Sequence, residues 1–175
     1  MTSRNIAIGN PASDFVLKSN KGADWRLADH FGSVAVLLFY PQNETMVCTR
    51  QLCAVRDNWQ AYLETKAVIV GISEASPGEH AAFSSKFDLP IPLLADPGRV
   101  VTNTFAKHWI FPLNFTRAVV VIDAKGIIRN VDIMLRIFRP LDEQIITDIY
   151  AARGDALTER YDKLRGAASR TSIVR

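Results

Sequence analysis

Three uninterrupted apolar segments limit the folds that are open to this chain. They are residues 34–39, 67–72 and 118–122, with the sequences Val-Ala-Val-Leu-Leu-Phe, Ala-Val-Ile-Val-Gly-Ile and Ala-Val-Val-Val-Ile. A short apolar run without polar alternation is typical of a strand that is buried on both faces. We therefore expect the three segments to form the centre of a sheet that is covered by helices.

Helical and turn patterns fill the intervals between these strands. Periodic apolar positions and flanking turn residues predict helices at residues 45–64, 77–87, 99–105 and 141–149. A turn-like Ser-Asn-Lys-Gly at residues 19–22 predicts a hairpin, and Ala-Lys-Gly at residues 124–126 leads into an antiparallel partner strand. The order of elements predicts an α/β protein with the thioredoxin fold, an N-terminal β-hairpin and a mixed central sheet flanked by helices.

The length of 175 residues suits one domain, and the sequence shows no linker or internal repeat. We expect residues 1–153 to form a thioredoxin-like domain and residues 154–175 to be a C-terminal amphipathic helical extension of it. The extension is predicted from one apolar stripe at helical spacing, formed by Leu157, Tyr161, Leu164 and Ala168.

Charge and hydropathy argue against nucleic acid and membrane as partners. The net charge of +3 resides in residues 153–175, where basic and acidic side chains alternate and Tyr161 is the only aromatic residue. A nucleic-acid surface usually gathers basic residues on one face. No apolar stretch approaches the roughly 20 residues of a membrane span, and the first thirty residues lack the apolar core of a signal peptide. We expect a cytoplasmic protein, in which cysteines remain thiols and are more often redox-active than structural.

The chain contains two cysteines, Cys48 and Cys53, near the start of the predicted helix at residues 45–64. The thiolate is the nucleophilic form of cysteine, and a free thiol titrates near pH ~8.5. Unpaired backbone N–H groups and the helix dipole favour an anion in the first helical turn, where Cys48 lies. Thr45 suits the N-cap position beside that sulfur, and Pro41 turns the chain sharply after the preceding strand.

Arg117 is the best candidate for a cationic partner of Cys48. It directly precedes the strand at residues 118–122, and its guanidinium offers several hydrogen-bond donors to a thiolate or an oxygen. The sequence does not show that Arg117 reaches Cys48. A plainer alternative is that Cys48 is a small buried apolar residue, as most free cysteines are. Arg56 and Asp57 are expected to be a solvated pair on the helix surface.

The segment around Cys48 resembles the active site of the peroxiredoxin family, and the resemblance covers most of the chain. The matching motif is Phe39-Tyr40-Pro41-x-x-x-Thr45-x-x-Cys48, and its continuation from Cys48 to Asp57 is similar to the PrxQ, or bacterioferritin comigratory protein, branch. Further similarity lies at residues 10–15, 70–73 and 92–96, and in Arg117 six residues ahead of Asp123.

This resemblance implies a thiol-dependent peroxidase without a cofactor. Cys48 would be the peroxidatic cysteine, oxidised to a sulfenic acid by hydrogen peroxide or an organic hydroperoxide, and Cys53 would be the resolving cysteine that forms a disulfide with it. Pro41, Thr45 and Arg117 would complete the site. The resemblance also implies a thioredoxin-like reductant, and the chain is expected to be a monomer or a homodimer.

The spacing of the two cysteines adds a geometric requirement. Positions i and i+5 of a helix lie roughly 8–9 Å apart at Cα and on largely opposite sides. A disulfide needs Cα atoms within about 7 Å. We therefore predict that the first turns of this helix unwind whenever Cys48 and Cys53 bond, and that the two thiols lie well apart in the reduced protein.

Three other functions remain open at this stage. In the first, Cys53 is a buried helix residue with no redox role, which would make the chain a one-cysteine peroxidase. A thiol-disulfide oxidoreductase is a second alternative, although its usual motif has two residues between the cysteines and this chain has four. A redox-controlled chaperone or sensor is the third. No metal site is expected, because His30, His80 and His108 are not at ligand spacing with the cysteines.

Overall fold

A computed structural model describes residues 6–41, 46–107, 116–135 and 140–154 of the chain. The strands are β1 (Val16–Ser19), β2 (Asp24–Arg26), β3 (Ala35–Phe39), β4 (Val68–Ser73), β5 (Leu93–Ala95), β6 (Thr116–Ile122) and β7 (Ile128–Leu135). The helices are α1 (Met46–Asp57), α2 (Trp59–Thr65), α3 (Pro77–Phe87), α4 (Val100–Phe105) and α5 (Asp142–Arg153), with a short 3-10 helix at Leu27–His30.

Within the described residues, seven strands form one sheet in the order β2-β1-β5-β4-β3-β6-β7. The central pairs β3–β4 and β4–β5 are parallel, whereas β1–β2, β1–β5, β3–β6 and β6–β7 are antiparallel. The three continuous apolar segments become β3, β4 and β6, which are adjacent at the centre. The predicted α/β thioredoxin fold, with its N-terminal hairpin and mixed sheet, is confirmed.

Side chains alternate between the two faces of the sheet and so divide the core into two layers. On one face, Leu38 of β3 belongs to a buried cluster with Leu52 of α1, to which α2, α3 and α5 also contribute. On the other face, Phe39 belongs to a cluster with Phe105 of α4. Both faces of β3 are therefore covered, which explains why its sequence is apolar throughout.

The single helix predicted over residues 45–64 is wrong, because the chain forms α1 and α2 with a break at Asn58. Asn58 has φ −100° and ψ 16°, outside helical geometry. Its Nδ2 donates to the Ala54 carbonyl at 3.1 Å and to Asp142 Oδ2 at 2.9 Å. The second bond joins the break to α5, a contact between distant parts of the chain that helical periodicity does not reveal.

The start of α3 is fixed by a reciprocal cap. The Glu79 carboxylate accepts from the Ser76 backbone N–H at 2.7 Å, and the Ser76 hydroxyl accepts from the Glu79 backbone N–H at 3.3 Å. Pro77 occupies the first turn, as the sequence predicts. This capping box sets where the helix begins and thereby places His80 on its buried face.

The described chain ends just after α5, where Gly154 adopts φ 68° as the C-cap. Residues 155–175, with the apolar stripe that predicts a helical extension, lie outside the described residues, so the division at residue 153 stays a prediction. Among the helices that the structure describes, none has the length and hydropathy required to cross a membrane.

Candidate active site

Pro41 and Arg117 lie at one end of the sheet, both cysteines lie on α1, and Thr45 lies outside the described residues. Pro41 is half-buried in the bend that follows β3, and Arg117 is the second residue of β6. Cys48 and Cys53 are the third and eighth residues of α1. Cys48 thus occupies the first helical turn that the sequence predicts for it.

Antiparallel pairing of β3 and β6 brings Arg117 to this end. The register pairs Phe39 with Ala118, so Arg117 lies one position further, level with the residue before Pro41. Its side chain is 1% exposed, and its Nη1 donates to Oε1 of Gln51 on α1 at 2.6 Å. Arg117 is therefore held against the helix that carries both cysteines.

Gln51 is the site residue that the sequence analysis missed. Its side chain is buried, and its Nε2 has no hydrogen-bond partner among the described residues. Because a guanidinium only donates, the atom that faces Arg117 must be the amide oxygen, which leaves the NH2 group unpaired. A buried donor without a partner is uncommon, and an incoming acceptor would satisfy it. The sequence offers one signal for Gln51. It follows Cys48 by three residues, and residues three apart lie on the same face of a helix.

Cys53 is half-buried and is a free thiol in the structure. Arg56, one helical turn further, donates from Nε to Asp57 Oδ1 at 2.9 Å and from Nη1 to the Phe87 carbonyl at 2.7 Å. The pKa of Arg56 is raised, mainly by the hydrogen bond to Asp57 and to a smaller degree by attraction to the Cys53 sulfur. The Arg56–Asp57 pair lies at the surface, as the sequence predicts.

The α1 backbone is helical throughout the interval between Cys48 and Cys53. At the ideal helical rise and rotation, their Cα atoms lie roughly 8–9 Å apart, which exceeds the span of a disulfide. While α1 is intact, the backbone therefore holds the two cysteines too far apart for a disulfide. A Cys48–Cys53 bond would require the residues between them to leave the helix, including Leu52, which is 1% exposed.

The three histidines do not gather at the site. His108 lies outside the described residues, and His30 stacks on Trp25 with ring centroids 4.5 Å apart. His80 is buried beside Tyr40, whose Oη lies 3.3 Å from His80 Nδ1. In the parts of the chain that the structure describes, no three His, Cys, Asp or Glu side chains are arranged to hold a metal ion.

Burial lowers the pKa of His80 below its ordinary value, although hydrogen bonds with the backbone of Leu94 and Ser73 partly oppose this effect. The unfolded chain, in which histidine titrates near ~6.5, therefore binds a proton that the folded chain rejects. We expect the free energy of unfolding to fall as the pH is lowered below about 6.5.

Urea unfolding of the wild-type chain and of His80→Asn over this pH range measures the effect. The variant should lose the part of the pH dependence that His80 contributes, whatever its stability at neutral pH. An identical pH slope in the two chains would show that His80 is not the responsible group.

A sequence model of the AhpC/TSA family matches residues 8–131, a range that includes Pro41, both cysteines and Arg117. Peroxiredoxin Q of Populus jackii, described as chloroplastic, is 36% identical over 126 residues, which are 69% of this chain and 57% of that protein. Peroxiredoxin Bcp of Bacillus subtilis is 37% identical over 110 residues, covering 63% of this chain and 69% of the relative. The chain thus spans little more than half the length of the Populus relative.

A solved structure, that of peroxidoxin BcpB from Mycobacterium tuberculosis, is similar to this chain in fold. The two superpose with a TM-score of 0.71 and 27% sequence identity, over 83% of this chain and 97% of the other. The resemblance to peroxiredoxins that the sequence predicts is confirmed by these similarities.

Proposed function

The chain belongs to the AhpC/TSA family, in the branch of peroxiredoxin Q and Bcp, and we propose that it is a thiol peroxidase. Its substrates would be hydrogen peroxide and organic hydroperoxides, and Cys48 would be the residue that they oxidise. One observation supports this assignment above the others: Gln51 holds the buried Arg117 against the helix whose first turn contains Cys48. A permanent cation beside a helix N-terminus is a setting that favours a thiolate.

In the first proposed step, the Cys48 thiolate attacks one peroxide oxygen. A sulfur–oxygen bond forms and the oxygen–oxygen bond breaks, so that Cys48 becomes a sulfenic acid and the second oxygen leaves as hydroxide or alkoxide, which water protonates. Arg117 and the backbone N–H groups of the first turn would stabilise the charge that grows on the leaving oxygen. Thr45 would hold the peroxide in line, and Pro41 would shield the thiolate from water.

Gln51 gives the proposed site a further donor. Its Oε1 is occupied by Arg117, whereas its buried Nε2 is unpaired among the described residues. A peroxide oxygen is an acceptor, so its arrival would provide the missing partner. The pair would thus fix the guanidinium from one side and offer the Gln51 Nε2 donor to the substrate.

In the second step, the Cys53 thiol condenses with the Cys48 sulfenic acid, which releases water and forms a disulfide. A thioredoxin-like dithiol then reduces the disulfide and is itself oxidised. Because intact α1 holds the cysteines apart, its first turns would unwind in this step and expose Leu52. Exposing one leucine side chain costs about 1.5–3 kcal/mol.

The substitution Cys53→Ser separates the two steps. We expect peroxide to oxidise Cys48 at a rate within about twofold of wild type, whereas turnover with thioredoxin falls at least about tenfold because no disulfide is presented to the donor. Single-turnover quenching and a thioredoxin-coupled peroxide assay measure the two quantities. Undiminished thioredoxin-dependent turnover would instead indicate a one-cysteine peroxidase.

The proposal includes the setting in which the enzyme works. We propose a cytoplasmic protein that acts as a monomer or a homodimer, without a cofactor and with neither nucleic acid nor membrane as a partner. Sizing of the reduced and the oxidised protein tests the oligomeric state. A change of size on oxidation would show that the unwinding of α1 is linked to assembly.

A further inference from the structure

Three buried polar side chains form a chain that ends beside Pro41. Tyr40 Oη lies 3.3 Å from His80 Nδ1, and His80 Nε2 lies 3.4 Å from Ser73 Oγ. The exposed fractions are 3% for Tyr40, 0% for His80 and 2% for Ser73. Tyr40 directly precedes Pro41, so this chain reaches the start of the segment that leads to Cys48.

Each nitrogen of the His80 ring has a hydroxyl partner, Tyr40 Oη at Nδ1 and Ser73 Oγ at Nε2. Burial favours the neutral imidazole, which carries one N–H donor and one acceptor nitrogen, and a hydroxyl can either donate or accept. The Tyr40–Nδ1 hydrogen bond can therefore form in either tautomer, and the position of the ring proton does not affect the link to Tyr40.

The Tyr40 ring occupies a confined place between β4 and α1. A Cβ atom added to Gly71 would lie 3.2 Å from Tyr40 Cε1 and 3.8 Å from Leu52 Cδ2. The Leu93 side chain is nearer still, with Cδ2 2.7 Å from that position, so Tyr40, Leu52 and Leu93 pack over the same glycine of β4. The peroxide chemistry uses neither His80 nor Tyr40, yet both are buried side chains that carry polar atoms.

We propose that His80 is a positioning residue that acts through Tyr40 to fix Pro41, a residue of the proposed peroxide site. The inference rests on the proposed function of Cys48. A hydrogen bond at the far end of the tyrosine ring sets the direction in which the chain leaves β3. Peroxide attack depends steeply on alignment, so a small displacement of this turn slows the reaction. Buried hydrogen bonds are suited to this task, because they select one arrangement among several of similar packing.

Two amide substitutions separate the two ring nitrogens of His80. The asparagine amide reaches about as far as Nδ1, and the glutamine amide about as far as Nε2. In a Cys53→Ser background, where Cys48 is the only thiol, we expect Tyr40→Phe and His80→Gln each to lower the rate constant for hydrogen peroxide about fivefold to tenfold. The His80→Asn variant should keep the rate constant for hydrogen peroxide within about twofold of the Cys53→Ser background. The Tyr40→Phe/His80→Gln double variant should be no slower than either single variant.

General damage to the site would also change the rate at which iodoacetamide alkylates Cys48. That alkylation rate, measured across pH, therefore distinguishes damage from a loss of positioning. Positioning predicts an unchanged alkylation profile, because the thiolate remains equally stable and accessible while peroxide alignment is lost. A parallel change in alkylation and peroxide rates overturns the proposal. Wild-type peroxide rates in Tyr40→Phe overturn it too, as does a His80→Asn rate as low as that of His80→Gln.

Two controls keep the outcome clear. Tyr40→Phe removes one oxygen atom and preserves the ring, so it decides the question by itself should either histidine variant fail to fold. Cys48→Ser distinguishes this inference from the function on which it rests. Peroxide reduction by Cys48→Ser would refute the proposed function, whereas an inactive Cys48→Ser beside fully active Tyr40 and His80 variants refutes the positioning role alone.

Discussion

Replacing Cys48 with serine should lower thioredoxin-dependent peroxide consumption at least about 10³-fold, to the background of the assay. The serine hydroxyl keeps nearly the size and the place of the thiol. It remains protonated at neutral pH, however, and has no neighbouring base among the predicted site residues, so no nucleophile forms. The coupled assay with hydrogen peroxide, performed beside thermal unfolding of the variant, measures the effect.

Cys53→Ser is the matched control, since it makes the same chemical change five residues later in the same helix. It should retain a single rapid oxidation by peroxide, whereas Cys48→Ser should show none. Equal rates of peroxide consumption in wild type and Cys48→Ser would mean that another group performs the chemistry.

Replacing Arg117 with lysine should have the second largest effect. Lysine keeps the positive charge but loses the planar array of donors, so it cannot bind Gln51 and an oxygen in the same geometry. We expect the rate constant of Cys48 with hydrogen peroxide to fall about 10²-fold, a size typical of losing a donor that stabilises developing charge. Stopped-flow measurement over a series of peroxide concentrations provides this rate constant.

Arg129→Lys is the control for that substitution. Arg129 pairs with Asp123 through Nε at 2.6 Å, and it lies towards the opposite end of the sheet from Pro41. The same exchange there should leave the peroxide rate unchanged. A loss of similar size in both variants, or none in Arg117→Lys, would contradict the role proposed for Arg117.

The sheet could be predicted from sequence because each central strand shows its burial in its own residues. The segments that become β3, β4 and β6 are apolar on both faces, and this local property requires coverage on both sides. The N-terminal hairpin and α5 were likewise visible in short-range patterns. α5 lies beyond the stretch that matches the family, so its periodicity was the only guide to it.

The missed features all depend on contacts between distant residues. The break at Asn58 follows from a bond to Asp142, and the burial of Gln51 from a bond to Arg117. Arg117 itself was predicted, but its approach to α1 depends on strand register, which a residue pattern does not determine. The Tyr40–His80 contact joins residues 40 positions apart.

The site was predictable where the chemistry depends on neighbouring residues. A helix start, a cysteine in its first turn and a proline after the preceding strand lie within a dozen residues of one another. The structure confirms that Cys48 lies in the first turn of α1. The role of Thr45, outside the described residues, stays a prediction, as do the reactions assigned to both cysteines.

Identifying the sulfur that peroxide oxidises first tests the central claim most directly. The reduced wild-type chain would be mixed with less than one equivalent of hydrogen peroxide, quenched rapidly with a sulfenic-acid trap such as dimedone, digested and analysed by mass spectrometry. We predict that the trap is found on the peptide sulfur of Cys48 at the earliest times and that a Cys48–Cys53 disulfide replaces it later. A trap found first on Cys53, or no trapped sulfenic acid and no disulfide while peroxide disappears, would contradict the account.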